Sequence, residues 1–257
     1  SLDSEILYVA DTENHAIRKI DLTAGIVKTI AGTGEQGHTR EGRHTALNIE
    51  LCSPYDLVNH EGVLYIAMAG IHQLWSMDLK DGAIGPFAGT GGEAIDDGPL
   101  SSAMLAQPCG ITTDGQKLYF ADSETSSVRS ADIDLSGRVR TIVGLDLFVF
   151  GDVDGSDHNV RLQHPIGIDH HDGVLYIADT YNHKIKKVLP VTRSAFTVSG
   201  DSTVGHVDGP AVQARFSEPS GISFANGKMY IADTNNHSIR VMDFESYTVS
   251  TLALNGL

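Results

Sequence analysis

The chain has 257 residues, of which 41% are hydrophobic and 20% charged, and its formal net charge is −15. This excess of carboxylates argues against nucleic acid as a partner, because phosphate binding needs a dense patch of Lys and Arg. No apolar run approaches the ~18 residues that a membrane span needs. No basic and apolar leader follows Ser1. We therefore predict a soluble, cytoplasmic protein without a membrane partner, unless a targeting peptide has been removed.

Five similar segments, each centred on a tyrosine, follow one another along the chain. The tyrosines are 54 to 57 residues apart, which indicates a repeated structural unit. The segments are LYVADTENHAIRKIDL, LYIAMAGIHQLWSMDL, LYFADSETSSVRSADI, LYIADTYNHKIKKVLP and MYIADTNNHSIRVMDF.

Each unit predicts four short strands. A proline opens the first strand, as in SPYDLVN or HPIGIDHH, where the first residue need not donate to the ladder. A glycine turn leads into Leu-Tyr-x-Ala, and the later strands carry Ile-Arg-x-x-Asp and runs such as VKTIAG. Four-stranded units at this period predict an all-β protein, with a single β-propeller domain over 1–257. The predicted blades are approximately 1–34, 53–91, 107–144, 164–200 and 218–254.

The first unit is shorter than the others. It begins at its second strand, since nothing before EILYVAD resembles a Pro-x-Gly-Ile strand. We therefore expect five blades of a six-bladed propeller, with the first blade and the opening strand of the second absent. The missing blade, or an upstream domain, would then lie on another polypeptide. A closed five-bladed ring is the alternative.

The motif Asp-x-x-Asn-His recurs after the second strand. We predict that the aspartate bonds the amides of the following turn, that the asparagine takes the positive φ, and that the histidine covers the next blade. Because the motif repeats, a structural role is favoured over a metal site. The motif residues are Asp11, Asn14, His15, Asp122, Asp179, Asn182, His183, Asp233, Asn236 and His237.

Three motifs carry a resemblance to a known family. Pro-x-Gly-Ile, Leu-Tyr-x-Ala-Asp-Thr-x-Asn-His-x-Ile-Arg and Val-x-Thr-Ile-Ala-Gly resemble the NHL repeat, which builds mostly six-bladed propellers. FGDVDG and ADTYNHKIKK resemble, in particular, the branch of the family in which a thioredoxin-like domain precedes the propeller. The resemblance covers essentially the whole chain and implies attachment to such a domain. It implies no redox chemistry for this sequence.

Positions that differ between blades are the candidates for binding. The residue before the proline is Ser53, Gln107, His164 or Glu218, and we predict that these line one mouth of the central channel. His164 and Glu218 are candidates for an acid/base pair or metal ligands, and a polar, water-lined mouth is the alternative.

The second blade departs furthest from the repeat. It has Tyr55 beside Asp56 in a position where the other blades have glycine. Its turn reads Met68-Ala-Gly-Ile-His72, and Trp75 replaces a basic residue. Either this blade is specialised for binding, or Met68 and Trp75 pack against the neighbouring blade.

Cofactor signals are weak. The segment DVDGSD, with Asp152, Asp154 and Asp157, partly resembles a calcium loop, but its glycine is misplaced and the bidentate glutamate is lacking. Cys52 and Cys109 are predicted to be buried free thiols. We predict no cofactor.

These features favour a non-catalytic binding or scaffold propeller, with a protein or small molecule bound at the channel mouth. The alternative is a metal-assisted lyase or hydrolase, because similar propellers such as peptidylglycine amidating lyase hold calcium and zinc on their axis. RNA binding, as in some NHL propellers of the tripartite-motif class, is a third hypothesis that the acidic charge disfavours.

Overall fold

The computed structural model describes residues 1–253, so the ends of the predicted last blade and of the predicted domain, at 254 and 257, lie outside the described residues. Two compact units are formed, Ser1–Glu124 with Arg129–Thr141, and Thr125–Val128 with the chain from Ile142 onward. The described strands form five sheets, numbered 1 to 5 in chain order. The first unit contains sheets 1 and 2 and most of sheet 3, and the second contains sheets 4 and 5.

Three sheets are built along the first part of the chain. Sheet 1 has the order β1-β2-β3-β4, with β1 (Leu2–Asp3), β2 (Ile6–Asp11), β3 (Ala16–Asp21) and β4 (Ile26–Ala31). Sheet 2 has the order β5-β9-β8-β7-β6, with β5 (His44–Thr45), β6 (Pro54–His60), β7 (Val63–Met68), β8 (Gln73–Asp78) and β9 (Ala83–Ala88). Sheet 3 has the order β10-β14-β13-β12-β11, with β10 (Gly98–Pro99), β11 (Pro108–Thr113), β12 (Lys117–Asp122), β13 (Ser127–Asp132) and β14 (Arg138–Val143).

Two sheets follow. Sheet 4 has the order β15-β19-β18-β17-β16, with β15 (Gly155–Ser156), β16 (Pro165–His171), β17 (Val174–Asp179), β18 (Lys184–Leu189) and β19 (Ser194–Ser199). Sheet 5 has the order β20-β24-β23-β22-β21, with β20 (Gly209–Pro210), β21 (Pro219–Ala225), β22 (Lys228–Asp233), β23 (Ser238–Asp243) and β24 (Thr248–Thr251). The all-β prediction is confirmed.

The helices within residues 1–253 are single 3₁₀ turns, and none is long or apolar enough to cross a membrane. They are Thr12–Asn14, Ala46–Asn48, Ala69–Ile71, Asp157–Asn159, Thr180–Asn182, Ala211–Gln213 and Thr234–Asn236.

The prediction of four strands per blade is wrong for sheets 2 to 5, which each have five. The additional strand has two residues, comes from the loop that precedes the sheet, and pairs with the last strand of that same sheet, as His44 pairs with Ile84 and Gly98 with Val139. This pairing covers part of an edge whose N–H and C=O groups would otherwise be unpaired. The loops contain Gly and Asp and therefore resemble turns in the sequence.

Sheet 1 does have a first strand, in contrast to the prediction. Strand β1 pairs with β2 through Leu2 with Leu7 and Asp3 with Ile6. It is only two residues long and lacks the proline that marks this strand in the other sheets. A strand this short leaves no detectable pattern in the sequence.

The hairpin signals predicted from the sequence are confirmed. Strands β6, β11, β16 and β21 each begin at a proline. In sheet 4, Asp172 and Gly173 between β16 and β17 have φ of 50° and 77°. Positive φ at both central residues is typical of the type I′ turn, whose twist matches that of the two strands it joins.

Each pair of neighbouring sheets within a unit shares an apolar layer. Sheets 1 and 2 enclose Ile17, Ile66 and Trp75 with other buried residues. Sheets 2 and 3 enclose a cluster that includes Phe120, and sheets 4 and 5 enclose one that includes Phe216. The polar residues between these layers are therefore buried or half-buried and need partners.

Candidate functional site

Aspartates of the repeated motif pair with a cation seven residues later. In sheet 3, Arg129 Nη1 donates to Asp122 Oδ2 at 2.8 Å, and both side chains are fully buried. The equivalent pairs are Asp233 with Arg240 at 2.7 Å, Asp179 with Lys186 at 3.5 Å, and Asp11 with Arg18 at 2.8 Å. A buried charge requires such a partner.

The buried aspartates also hold the chain that leads into their own sheet. Asp122 Oδ1 accepts the N–H of Ala106, sixteen residues upstream, at 2.8 Å. Gln163 N–H donates to Asp179 and Ser217 N–H donates to Asp233, both at 2.7 Å. The prediction that the aspartate caps the following turn is wrong, since Asp11, Asp179 and Asp233 make no such bond.

The motif asparagine ties the aspartate to the preceding loop. Asn182 Nδ2 donates to Asp179 Oδ2 at 2.8 Å and to the carbonyl oxygen of Gly151 at 2.7 Å. Asn236 makes the same two bonds, to Asp233 and to Gly205. In sheet 1, Asn14 Nδ2 donates to Asp11 at 2.9 Å. These contacts account for the asparagines as structural residues.

Burial has the largest effect on the pKa of two motif aspartates in the buried ion pairs. It raises the pKa of Asp122 above the ordinary value, and it raises the pKa of Asp179 to about 6, in both cases against the lowering effect of the paired cation. At the half-exposed Asp11, hydrogen bonds from Asn14 and Arg18 lower the pKa instead. The same motif thus provides two different electrostatic environments.

The motif histidine, rather than the asparagine, takes the left-handed conformation. His15, His72, His183 and His237 have φ between 47° and 56°. Nδ1 of His72 accepts the N–H of Gln107 at 3.1 Å. Equivalent bonds join His15 to Ser53 and His183 to Glu218, both at 3.1 Å. Each of these histidines therefore links its sheet to the next sheet of the same unit.

The residue before each proline has a left-handed backbone. In the order Ser53, Gln107, His164, Glu218, the φ values are 49°, 57°, 48° and 51°. His164 donates its N–H to Ser126 Oγ at 3.3 Å, and its ring stacks on Tyr181 with the centroids 4.8 Å apart. All four residues are half-buried.

Asp56 bridges the first strands of sheets 2 and 3. Its Oδ2 accepts the N–H of Ile111 at 3.0 Å, and its Oδ1 accepts the N–H of Leu57. At the equivalent position of sheet 4, a Cβ added to Gly167 would lie 2.1 Å from the carbonyl oxygen of Ser220, so that strand requires glycine. Tyr55, beside Asp56, is 40% exposed.

Met68 and Trp75 replace the buried ion pair of the other sheets. Met68 occupies the position of the aspartate and Trp75 that of the cation, and they are 0% and 1% exposed. Both belong to the apolar layer of sheets 1 and 2. Of the two alternatives stated for these side chains, their burial favours packing against the neighbouring sheet over direct contact with a ligand.

A third substitution accompanies this replacement, and sequence analysis missed it. Asp97, Asp154 and Asp208 stand just before the short strands β10, β15 and β20, and each pairs with the buried cation of its sheet. The residue just before β5 is Arg43. Alignment of the four loops on the prolines that follow them would have given this signal, since each of these four residues precedes its proline by the same number of positions. Sheet 2 has thus lost the buried cation together with both of its carboxylate partners.

The predicted calcium-loop residues bind cations of the chain itself. Asp152 accepts bonds from Lys184 Nζ at 2.6 Å and Lys186 Nζ at 2.7 Å. Partial burial would raise the pKa of Asp152, but these lysines lower it to about 2. Asp154 also pairs with Lys186, and Asp157 pairs with Arg193. Within residues 1–253, no group of three or more His, Cys, Asp or Glu has the arrangement of a metal site.

Both cysteines are free and buried, as predicted. Burial raises the pKa of the Cys109 thiol to about 12. Because the thiolate is the reactive form, we expect the native protein to resist labelling by an aromatic disulfide reagent at neutral pH. Labelling in urea should modify both cysteines, and rapid modification of Cys109 in the native protein would contradict the structure.

Comparisons with known proteins agree with this arrangement. The NHL repeat family model matches residues 216–242. NHL repeat-containing protein 2 of Gallus gallus is 41% identical over 99% of this chain and 40% of its own length. The human protein of that name is 40% identical over 98% of the chain and 39% of its own length. Protein SUPPRESSOR OF QUENCHING 1, chloroplastic, of Arabidopsis thaliana is 42% identical over 98% of the chain, which spans 25% of that protein.

Solved structures share the fold at low identity. An auxiliary nutrient binding protein from Bacteroides thetaiotaomicron has a TM-score of 0.64 and 17% identity, covering 97% of this chain and 67% of that one. A streptogramin B lyase has a TM-score of 0.60 and 13% identity, covering 100% of this chain and 67% of that one. The repeats, the five blade-like sheets and these relatives lead to one conclusion: the chain is an NHL-repeat β-propeller, similar over almost its whole length to NHL repeat-containing protein 2.

Proposed function

We propose that this propeller is a non-catalytic binding and scaffold module, whose protein or small-molecule partner binds near the residues that precede the four prolines. The observation that carries the proposal is the left-handed backbone of Ser53, Gln107, His164 and Glu218. A left-handed conformation costs a residue other than glycine about 1 kcal/mol or more. Glycine would remove that cost, yet each position has a polar side chain, and all four differ.

The backbone at these positions is already explained by structure. The N–H groups of Ser53, Gln107 and Glu218 donate to the histidine of the preceding sheet. That bond requires only the backbone and would form equally well with glycine. The side chains of Ser53, Gln107 and Glu218 take no part in that bond, and variation among equivalent positions is expected of residues that recognise an asymmetric partner.

A sixth blade and a thioredoxin-like domain complete the proposal, on the same or another polypeptide. His237 supports the sixth blade. It has the same left-handed conformation as the histidines that accept an N–H from the following sheet, and it is exposed, as expected of a residue that a further blade would contact. A cavity of about 340 Å³ beside it is lined by Asp233, Ile239 and Leu252, among others. The thioredoxin-like domain is supported by the family resemblance. A cytoplasmic location is supported by the two free cysteines.

Site-specific cross-linking tests the binding proposal. A photoreactive amino acid would replace Gln107 or Glu218 in cells, with matched variants at Leu135 and Val191, which are 82% and 96% exposed in hairpin turns. We expect the first two positions to capture one shared partner that the control positions do not. Equal capture at all four positions, or none at Gln107 and Glu218, would contradict the proposal. Stoichiometric zinc or calcium in the purified protein would instead favour the lyase hypothesis.

A further inference from the structure

Sheet 2 and its two flanking loops line a half-open cavity of about 470 Å³, within the range typical of small-molecule sites. Its polar lining includes Arg40, Arg43, Gln73 and Thr90. Its apolar lining includes Pro86, Phe87 and Leu100. We call it the sheet 2 cavity. It lies at the sheet in which the buried ion pair is replaced, and it involves none of the residues before the prolines.

The charge at this cavity is the reverse of that in the other sheets. Arg43 stands where sheets 3, 4 and 5 have an aspartate. Its guanidinium donates to Ser76 Oγ at 2.8 Å, to the Ser76 carbonyl at 3.3 Å and to the Ala83 carbonyl at 2.8 Å. A guanidinium has five N–H donors, so these bonds leave two for another acceptor. Glu41 is the one acidic residue in the lining.

Arg40 provides a second guanidinium. Among residues 1–253, no carboxylate pairs with Arg40 and no acceptor receives a bond from its side chain. Its stem packs over Gly91, where an added Cβ would lie 2.6 Å from Arg40 Cδ. In a chain with a net charge of −15, two arginines at one cavity, neither of them paired with a carboxylate of the described residues, need an explanation.

Buried polar side chains fix the backbone at this cavity. Gln73, which is 1% exposed, donates from Nε2 to the carbonyl of Arg40 at 3.1 Å and to that of Gly89 at 2.8 Å. Its Oε1 accepts the indole N–H of Trp75 at 3.0 Å. Trp75 thus orients Gln73, and Gln73 joins the two loops that carry Arg40 and Thr90. Both are positioning residues, and a preorganised site binds at lower entropic cost.

We infer that the sheet 2 cavity binds a small organic oxyanion, a carboxylate or a phosphate monoester, that has an apolar body. Arg40 and Arg43 contact the anion, because the guanidinium fork matches the geometry of carboxylate and phosphate oxygens. Pro86, Phe87 and Leu100 contact the body. The equivalent loops of sheets 3 to 5 present aspartates and would repel such a ligand, so one site per chain is expected among the described sheets.

The single tryptophan gives a direct assay. Trp75 is the only source of an indole N–H signal in a ¹⁵N-labelled sample, and its hydrogen-bond partner Gln73 lines the cavity. Phenyl phosphate and benzoate would be titrated as anionic probes, with benzyl alcohol as a neutral probe of similar size. We expect saturable movement of the Trp75 signal with at least one anion and much weaker binding of the alcohol.

Matched variants locate the site. Arg40→Gln should weaken binding of the anionic probe about tenfold, the loss expected for one charge-assisted hydrogen bond. Lys28→Gln is the control, because it removes one exposed cation of the same unit from β4 of sheet 1, none of whose residues lines the cavity. Gln73→Met should shift the Trp75 signal without any probe and lower the affinity several-fold, while the preference for anion over alcohol remains.

The outcomes are decisive. Binding of phenyl phosphate alone would identify a phosphate site, and binding of benzoate alone a carboxylate site. Equal binding of benzyl alcohol, equal losses of affinity in Arg40→Gln and Lys28→Gln, or no saturable change at millimolar probe would overturn the inference. Thermal unfolding of each variant checks that it is folded, and Arg43→Gln is the second variant if Arg40→Gln is unstable. The result is independent of the cross-linking test.

Discussion

Replacing Asp122 by asparagine is expected to lower the free energy of unfolding by about 3 kcal/mol, the range measured when one partner of a buried ion pair is removed. The substitution keeps an oxygen that can accept the Ala106 N–H. It leaves the fully buried Arg129 with only the half-exposed Asp97 as an anionic partner. Urea unfolding followed by far-UV circular dichroism measures the loss.

Asp11→Asn is the matched control, since it changes the same motif position in a more exposed pair. The Asp11 and Arg18 side chains are 28% and 31% exposed. Solvent screening limits such a pair to about 1 kcal/mol or less. Equal losses of unfolding free energy in Asp122→Asn and Asp11→Asn would contradict the expectation that burial makes the ion pair more important for stability.

The second large effect is expected in sheet 2, where the ion pair would be restored one residue at a time. Met68→Asp or Trp75→Arg alone should each cost about 3 to 5 kcal/mol, because each buries an unpaired charge and removes packed apolar atoms. The double variant Met68→Asp/Trp75→Arg should cost at least about 1 kcal/mol less than the sum of the two single losses, because the introduced charges pair with each other.

Arg43 adds a check on this cycle. In the double variant it would lie where the other sheets have an aspartate beside the buried cation. Arg43→Asp should therefore stabilise the double variant, whereas it should lower the free energy of unfolding of the wild-type protein, because it removes the bonds from Arg43 to Ser76 and Ala83. Strict additivity of Met68→Asp and Trp75→Arg in urea unfolding would show that the three differences in sheet 2 arose independently.

The strands were predictable because their signals are local. The prolines that open β6, β11, β16 and β21 and the glycine turns that follow depend on the backbone preferences of a few adjacent residues. The two-residue strands of the loops, β5, β10, β15 and β20, were not, since their pairing depends on a partner about forty residues away, as for His44 with Ile84. The left-handed histidines were missed for a similar reason. The asparagine donates to the motif aspartate and to a distant carbonyl, as Asn182 does, and the left-handed conformation falls on the following histidine.

The site was predictable in part. The repeat showed that sheet 2 is exceptional, and Trp75 marked it. The sequence could not show that Trp75 is buried and acts through Gln73, because side-chain burial depends on the packing of sheets 1 and 2. The sheet 2 cavity was invisible for the same reason, since Arg40, Gln73 and Leu100 come from three separate segments.

The short loop strands change where one repeat ends and the next begins. Asp97, in the loop before sheet 3, accepts the N–H and hydroxyl of Thr141 in that sheet's last strand and pairs with Arg129. Asp208 binds Thr251 in the same way in sheet 5. A repeat unit that keeps this contact within itself therefore starts upstream of the aspartate, near residue 96 for sheet 3, and not at Pro108. A gene fusion or chimaera joined at the proline would separate a sheet from the loop aspartate that binds its last strand and its buried cation.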